Sequence, residues 1–385
     1  MIAGVAGRLA APTRLDGRWV VALCVSLYFG LLFVTSLFGD YQTLWHHLGV
    51  PARSPSFSDL RNITSAADCQ RLGADPLISD PCDPWNRPMN YPRVWLSLMS
   101  ALGVQQMDTG DLGVLLVIAF FGALLLLVGR TNGYEGLLYG TLICSPAVML
   151  GVERGNNDLV IFVLLSLAGL GLAHGGVRKF LSYALIGVCC VLKVYPVVAL
   201  VVALRERPGV AATVLAVGAA LFAFYVYSIR GDLLLISAVV PRAIGLSYGS
   251  QVILLAASEW LNLPPLPSKL SLIGVLGITG AVCFLFLRLP RPFFVLPPAH
   301  RFRIGAALYV TTFALGNNFN YRLIFLLFLV PDLLLIVKDS GRNSGFALLL
   351  LAMIVSALWL SPTTFVPLFL LKEVLNWSLF AALIF

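Results

Sequence analysis

The chain has 385 residues, of which 59% are hydrophobic and 11% charged, with a net charge of +8. Its mean hydropathy is +0.91. A soluble domain carries about 25% charged residues, so a soluble fold is excluded, and the +8 reads as Lys and Arg flanking membrane spans rather than as a nucleic-acid footprint.

Apolar runs recur from residue 19 to the C-terminus. They are long and rich in Leu, Ala and Val, without the alternation of barrel strands. In lipid, backbone groups must then be satisfied within helices. The expected fold is an all-α polytopic integral membrane protein of about ten to twelve transmembrane helices, some broken or re-entrant.

Arg8, Arg14 and Arg18 precede the first run, 19–38. That run is long enough to span and predicts a retained first helix rather than a cleaved signal. Residues 39–111 form one long polar segment, with a short apolar stretch at 92–104 expected to be interfacial or re-entrant. Cys69 and Cys82 share this loop, and in an oxidising compartment they would pair as a disulfide. The remaining cysteines lie in apolar segments and read as packing residues. His46 and His47 have no carboxylates at ligand spacing, so no metal site is expected there. Further spans are predicted at 112–129, 136–151, 158–173, 209–229, 270–288, 304–316, 321–337, 345–360 and 365–384.

Residues 180–204 are apolar but interrupted by Lys193 and Pro196. Basic residues cluster at Arg8/Arg14/Arg18, Arg130, Arg178/Lys179, Arg205/Arg207, Arg288/Arg291/Arg301/Arg303 and Lys338/Arg342. If all of them are cytoplasmic, 180–204 must leave and return as a broken hairpin with its tip near Lys193. Each arm is then about 15–20 Å long, too short to cross. A single span there would reverse every later loop and turn the Arg288–Arg303 cluster outward. The hairpin arrangement puts the unusual polar loops on the outer side. It predicts one transmembrane domain, with a core over 19–230, an outer loop at 231–269 and C-terminal helices over 270–385.

The candidate chemistry lies in those outer loops. Asp40 follows the first span, where a partly desolvated carboxylate can act as a general base. Glu153-Arg154-Gly155-Asn156-Asn157-Asp158 sets three ionisable groups and two amides between apolar spans. Ions at such positions are paired or functional. The amides suit sugar hydroxyls, and Arg154 suits a phosphate; the plain alternative is a polar turn with an internal ion pair. Lys193 either snorkels or meets an anion. Gly316-Asn317-Asn318-Phe319-Asn320-Tyr321-Arg322 is a second amide-rich loop ending in a cation. There is no phosphate loop, dinucleotide fingerprint, zinc spacing or serine nucleophile elbow.

In order along the chain, Asp40-Tyr41, Tyr91-Pro92, Gly155-Asn156-Asn157-Asp158 and Lys193-Val194-Tyr195-Pro196 resemble the motifs of the GT-C superfamily of membrane glycosyltransferases. The set is most similar to glycosyltransferase family 87, the polyprenyl-phosphate-mannose-dependent group. The resemblance covers roughly residues 19–205. It implies transfer of a hexose or pentose from a polyprenyl-phosphate donor to a lipid or glycan acceptor hydroxyl, with inversion, at the outer face of a bacterial plasma membrane. Asp40 would be the base, with Asp158 and Glu153 as alternatives. Lys193, Arg154 and Arg322 would hold the donor phosphate. Tyr41, Tyr91, Asn156, Asn157, Tyr195, Asn318 and Asn320 would contact sugar or acceptor. No cofactor or metal is called for where cations neutralise the leaving phosphate. Three other readings use the same features: a lipid-linked sugar flippase, an O-antigen polymerase- or ligase-like enzyme, and a structural subunit of a glycan-assembly complex.

Overall fold

The computed structural model describes residues 16–288, 299–339, 341 and 343–384. Arg8, Arg14, Arg291 and Arg342, which contribute to the charge clusters above, lie outside the described residues. The chain is almost wholly helical. In order it forms α1 Gly17–Ser36, α2 Tyr41–His47, α3 Ser58–Arg71, α4 Val94–Ala101, α5 Thr109–Val128, α6 Gly133–Ile143, α7 Pro146–Arg154, α8 Asp158–Leu172 and α9 Val177–Leu192. A 3₁₀ segment, Tyr195–Arg205, leads to α10 Pro208–Ser228, α11 Arg230–Val239, β1 Ser247–Tyr248, α12 Val252–Trp260, α13 Ser268–Arg288 and α14 His300–Ala314. The chain closes with β2 Asn318–Phe319, a 3₁₀ segment Asn320–Phe328, α15 Val330–Lys338, α16 Ser344–Trp359 and α17 Val366–Ile384.

Every apolar stretch expected to span is helical. Among the described residues, five helices are long and apolar enough to cross a membrane, or seven if each bent pair is one span. The bent pairs are α6 with α7, at 58°, and the segment Asn320–Phe328 with α15, at 43°. The chain is thus an integral membrane protein by length and composition, with fewer full-length spans than the ten to twelve expected. The shortfall has a local cause. Polar or proline breaks cut α8 to 15 residues and α16 to 16, or about 23 Å, less than the roughly 30 Å of hydrocarbon.

Two compact units emerge. The first comprises Met1–Val50, Leu125–Leu150 and Arg242–Phe385. Here α1 lies against α6. Their approach depends on Gly136, where an added Cβ would come within 2.4 Å of the Gly17 carbonyl oxygen. Asn132 and Glu135 cap α6 reciprocally, and Glu135 also pairs with Lys338 at 2.5 Å. Between α14 and α17, Phe313 stacks on Phe380 and Trp377 meets both rings edge-on. β1 and β2 pair antiparallel, Ser247 with Phe319 and Tyr248 with Asn318, which ties the 242–251 loop to the amide-rich loop.

The second unit comprises Pro51–Leu124 and Gly151–Pro241. α8 and α9 pack together as neighbours, and the 3₁₀ segment Tyr195–Arg205 packs on both α9 and α10. The chain turns back at Lys193. α9 ends at Leu192, Lys193 is extended (φ −155°, ψ 121°), and Pro196 stands at the start of the 3₁₀ segment. Glu206 thereby returns to the beginning of α9, bonding Lys179 Nζ at 2.9 Å and accepting from the Tyr183 hydroxyl at 3.2 Å. Residues 180–204 are a hairpin in space.

Candidate functional site

The second unit gathers the two strongest motifs at the hairpin tip. Gly155 makes this possible: it takes φ +57°, and a Cβ there would press within 3.1 Å of Phe57. α7 therefore ends, the chain reverses, and α8 opens at Asp158. A carboxylate in the first turn of a helix faces unpaired N–H groups, a favourable location for negative charge.

Asp158 and Lys193 are both buried. Lys193 Nζ lies 2.6 Å from Asp158 Oδ1 and 2.5 Å from Asn157 Oδ1, with Asn156 Oδ1 at 3.4 Å. The Tyr195 hydroxyl also donates to Asp158 Oδ1, at 2.5 Å. Lys193 stands over the Tyr91 ring, 5.5 Å from its centroid. The Trp95 indole N–H donates to the Leu192 carbonyl at 3.0 Å, anchoring α4 to the tip. Tyr91, Asn156, Asn157, Asp158, Lys193 and Tyr195, drawn from three separate stretches of sequence, thus form one cluster. Asn157 Nδ2 is buried without a hydrogen-bond partner.

The cluster continues into the loop before α3. Asn156 Nδ2 donates to Asp59 Oδ2 at 2.6 Å. Glu153 is buried and accepts the Arg53 backbone N–H at 2.8 Å, while Arg154 Nε lies 3.1 Å from its other oxygen. Arg154 also donates to Ser58 Oγ at 3.1 Å and to the Pro51 carbonyl at 2.9 Å. Arg87 grips Asp83 with two bonds, at 3.0 and 2.8 Å, and donates to the Ser58 carbonyl at 2.6 Å. Arg53 and Arg87 both stand over the Trp85 ring, at 5.7 and 4.5 Å from its centroid. Burial and the neighbouring Arg154 and Arg87 push the Arg53 guanidinium down from its ordinary value.

An apolar groove of about 780 Å³ opens beside the hairpin, lined by Val94, Tyr183, Leu192, Leu200, Val217 and Tyr225 among others. It runs along α9 and α10 from Tyr183 and Thr213 to Leu192, the residue before Lys193. The Tyr225 hydroxyl closes that end by donating to the Val191 carbonyl at 2.7 Å.

The first unit holds the other sequence candidates. Asp40 is exposed, immediately precedes α2, and receives a long bond from Thr43 Oγ1 at 3.4 Å. Tyr41 packs edge-on against Trp45, 6.2 Å between centroids. Arg322 donates to Asn318 Oδ1, Asn318 Nδ2 donates to the Thr312 carbonyl, and Asn320 Nδ2 donates to the Ser361 carbonyl at 2.6 Å. The Cys69 and Cys82 sulfurs of the second unit lie 2.6 Å apart, with Asp80 beside them.

Sequence reasoning missed Arg53, Asp59 and Arg87, whose partners lie about a hundred residues away or on a loop with no periodicity. It also passed over Lys372 and Glu373, both fully buried in α17. Lys372 Nζ donates to the Ser247 carbonyl at 2.9 Å and sits 3.7 Å from Glu373 Oε1. Two adjacent opposite charges inside a 19-residue apolar helix were the available signal. Comparison with protein-family models, with curated proteins and with solved structures finds no match for this chain.

Proposed function

We propose that this chain is a membrane glycosyltransferase that moves a sugar from a polyprenyl-phosphate donor to a lipid or glycan hydroxyl at the outer face of a bacterial plasma membrane. One observation carries the reading. The Lys193 hairpin tip, with its cation, carboxylate, amides and aromatic rings, adjoins an apolar groove that suits a lipid chain. A polar headgroup site at the end of an apolar trough is what a lipid-linked sugar requires.

In the reaction proposed, the acceptor oxygen attacks the anomeric carbon as its proton passes to a carboxylate. The bond from that carbon to the phosphate oxygen breaks, polyprenyl phosphate leaves, and the configuration inverts. Asp40 is the favoured base because its oxygens are exposed and lightly bonded. Asp158 and Glu153 are buried and already engaged, Asp158 by Lys193 and the Tyr195 hydroxyl and Glu153 by Arg154 and the Arg53 backbone N–H, so their oxygens are less open to an acceptor hydroxyl. Proximity of the bound reactants supplies much of the rate.

The test is transfer from a panel of polyprenyl-phosphate sugars to a crude lipid acceptor extract, with wild-type protein and Asp40→Asn side by side. Transfer by wild type and none by the folded variant is the expected result. Transfer by both keeps the enzyme and moves the base elsewhere. Donor binding without transfer, from any donor, sinks the transferase in favour of a flippase.

A further inference from the structure

The cations of the second unit are not equally engaged. Lys193 is taken up by Asp158 and Asn157, Arg154 by Glu153, Ser58 and Pro51, and Arg87 by Asp83 and Ser58. Arg93 bridges Asp75 and Asp232, at 2.8 and 3.0 Å. Arg53 differs. Its backbone N–H is anchored on Glu153, and its guanidinium carbon lies 5.7 Å from the Trp85 ring centre. Among the described residues, no hydrogen bond or ion pair reaches the guanidinium itself.

That guanidinium therefore carries five N–H donors in a planar fork with no acceptor. It is held rather than loose: one side is fixed by the indole, and its main chain is pinned to a fully buried carboxylate. A fork of this kind matches a phosphate by two parallel bonds. Arg87 and Arg154 add positive potential around it, which Asp59 and Glu153 offset in part. Two guanidinium groups on one indole ring repel each other, and an anion bound at Arg53 relieves that repulsion.

We propose that Arg53, seated on Trp85, is the residue that binds the phosphate of a lipid headgroup, while Lys193 and Arg154 act as internal counter-ions. The assignment rests on the reading of this chain as acting on a polyprenyl-phosphate ligand. It replaces the cations that the sequence motifs favour with one that lies outside them. Trp85 contributes an aromatic face that keeps the guanidinium plane oriented.

Binding tests it without any turnover. Polyprenyl monophosphate and the corresponding polyprenol are titrated against purified protein in polyoxyethylene detergent micelles, which contain no phosphate. Wild type, Arg53→Gln, Arg53→Lys and the surface control Arg230→Gln are compared, each checked for an unchanged melting transition. Wild type is expected to prefer the phosphate by about tenfold or more, the scale of a charge-assisted pair. Arg53→Gln should abolish the preference, Arg53→Lys should keep part of it, and Arg230→Gln should keep all of it. A preference that survives Arg53→Gln overturns the assignment, as does a wild type with no preference. Inorganic phosphate that displaces the lipid at equal concentration overturns the lipid headgroup as the source. Absence of sugar transfer with Arg53-dependent binding intact leaves the assignment standing and removes only the transferase reading.

Discussion

Replacing Lys193 with Met separates a structural cation from a ligand-binding one. Asp158 is 0% exposed and Lys193 7%, and the pair is 2.6 Å apart. Removing one partner of a buried pair leaves an uncompensated charge, at a cost of about 3–5 kcal/mol. Tyr195 still donates to Asp158, which favours the lower end of that range. Adding Asp158→Asn removes the stranded charge. The double variant should therefore be more stable than the sum of the two singles by about 2 kcal/mol or more, within the range found for contacting residues. Folded fraction across an SDS titration measures all four corners of the cycle. Additive losses, or a Lys193→Met variant as stable as wild type, would refute the counter-ion role and return Lys193 to the ligand. Charge neutralisation predicts the ordering wild type, then the double variant, then either single.

Peptide mapping of protein from an oxidising compartment should find Cys69 and Cys82 joined, a cross-link of this loop length being worth about 3 kcal/mol; full alkylation of both without reductant would exclude it. Gly155→Ala must hold φ +57° and push Phe57 aside, so it should cost about 1–3 kcal/mol, read as an earlier SDS midpoint, and a neutral effect would show that the turn tolerates rearrangement. The Arg93 guanidinium beside Asp75 lowers that carboxyl below its ordinary 3.8. Its stabilisation is then complete above the ordinary value and lost as pH falls through the lower folded value. The gap in melting temperature between wild type and Asp75→Asn should be present at pH 7 and close in acid; a gap independent of pH would refute the pairing. Lys372→Met strands Glu373 in the interior of α17 and should cost about 3–5 kcal/mol, whereas Lys372→Met with Glu373→Gln should recover part of that loss in the same titration.

The helices and the break at Lys193 were legible because both are local. An apolar run declares a helix, and a lysine three residues before a proline declares its interruption. The hairpin followed from charge alone, since Arg178/Lys179 and Arg205/Arg207 demanded the same side, and Lys179 does meet Glu206. Partner identity was not legible. Asn156 meets Asp59 across 97 positions and Glu153 meets Arg53 across 100, and no periodicity connects such residues. The number of full-length spans was also overread, because hydropathy runs on through bends such as the 58° break between α6 and α7. Arg154 reads as a phosphate clamp in the sequence, which shows its charge but not the Glu153, Ser58 and Pro51 oxygens it meets.

Occupancy is what decides chemistry in a low-dielectric setting. A buried cation without an anion is costly, so one found paired with a carboxylate has its charge answered before any ligand arrives. The Lys193–Asp158 and Arg154–Glu153 pairs each sum to zero charge, and each bonds to a loop as well as to its partner. They are suited to fixing the shape of the hairpin tip and of the segment before α3. Groups that meet a ligand need bonding capacity left over. Asp40 and Arg53 have it, one as an exposed carboxylate and the other as an unaccepted guanidinium fork. On the proposed reading, the neutral, rigid frame of the second unit holds the hairpin tip and its neighbouring loop still while Arg53 receives the leaving phosphate.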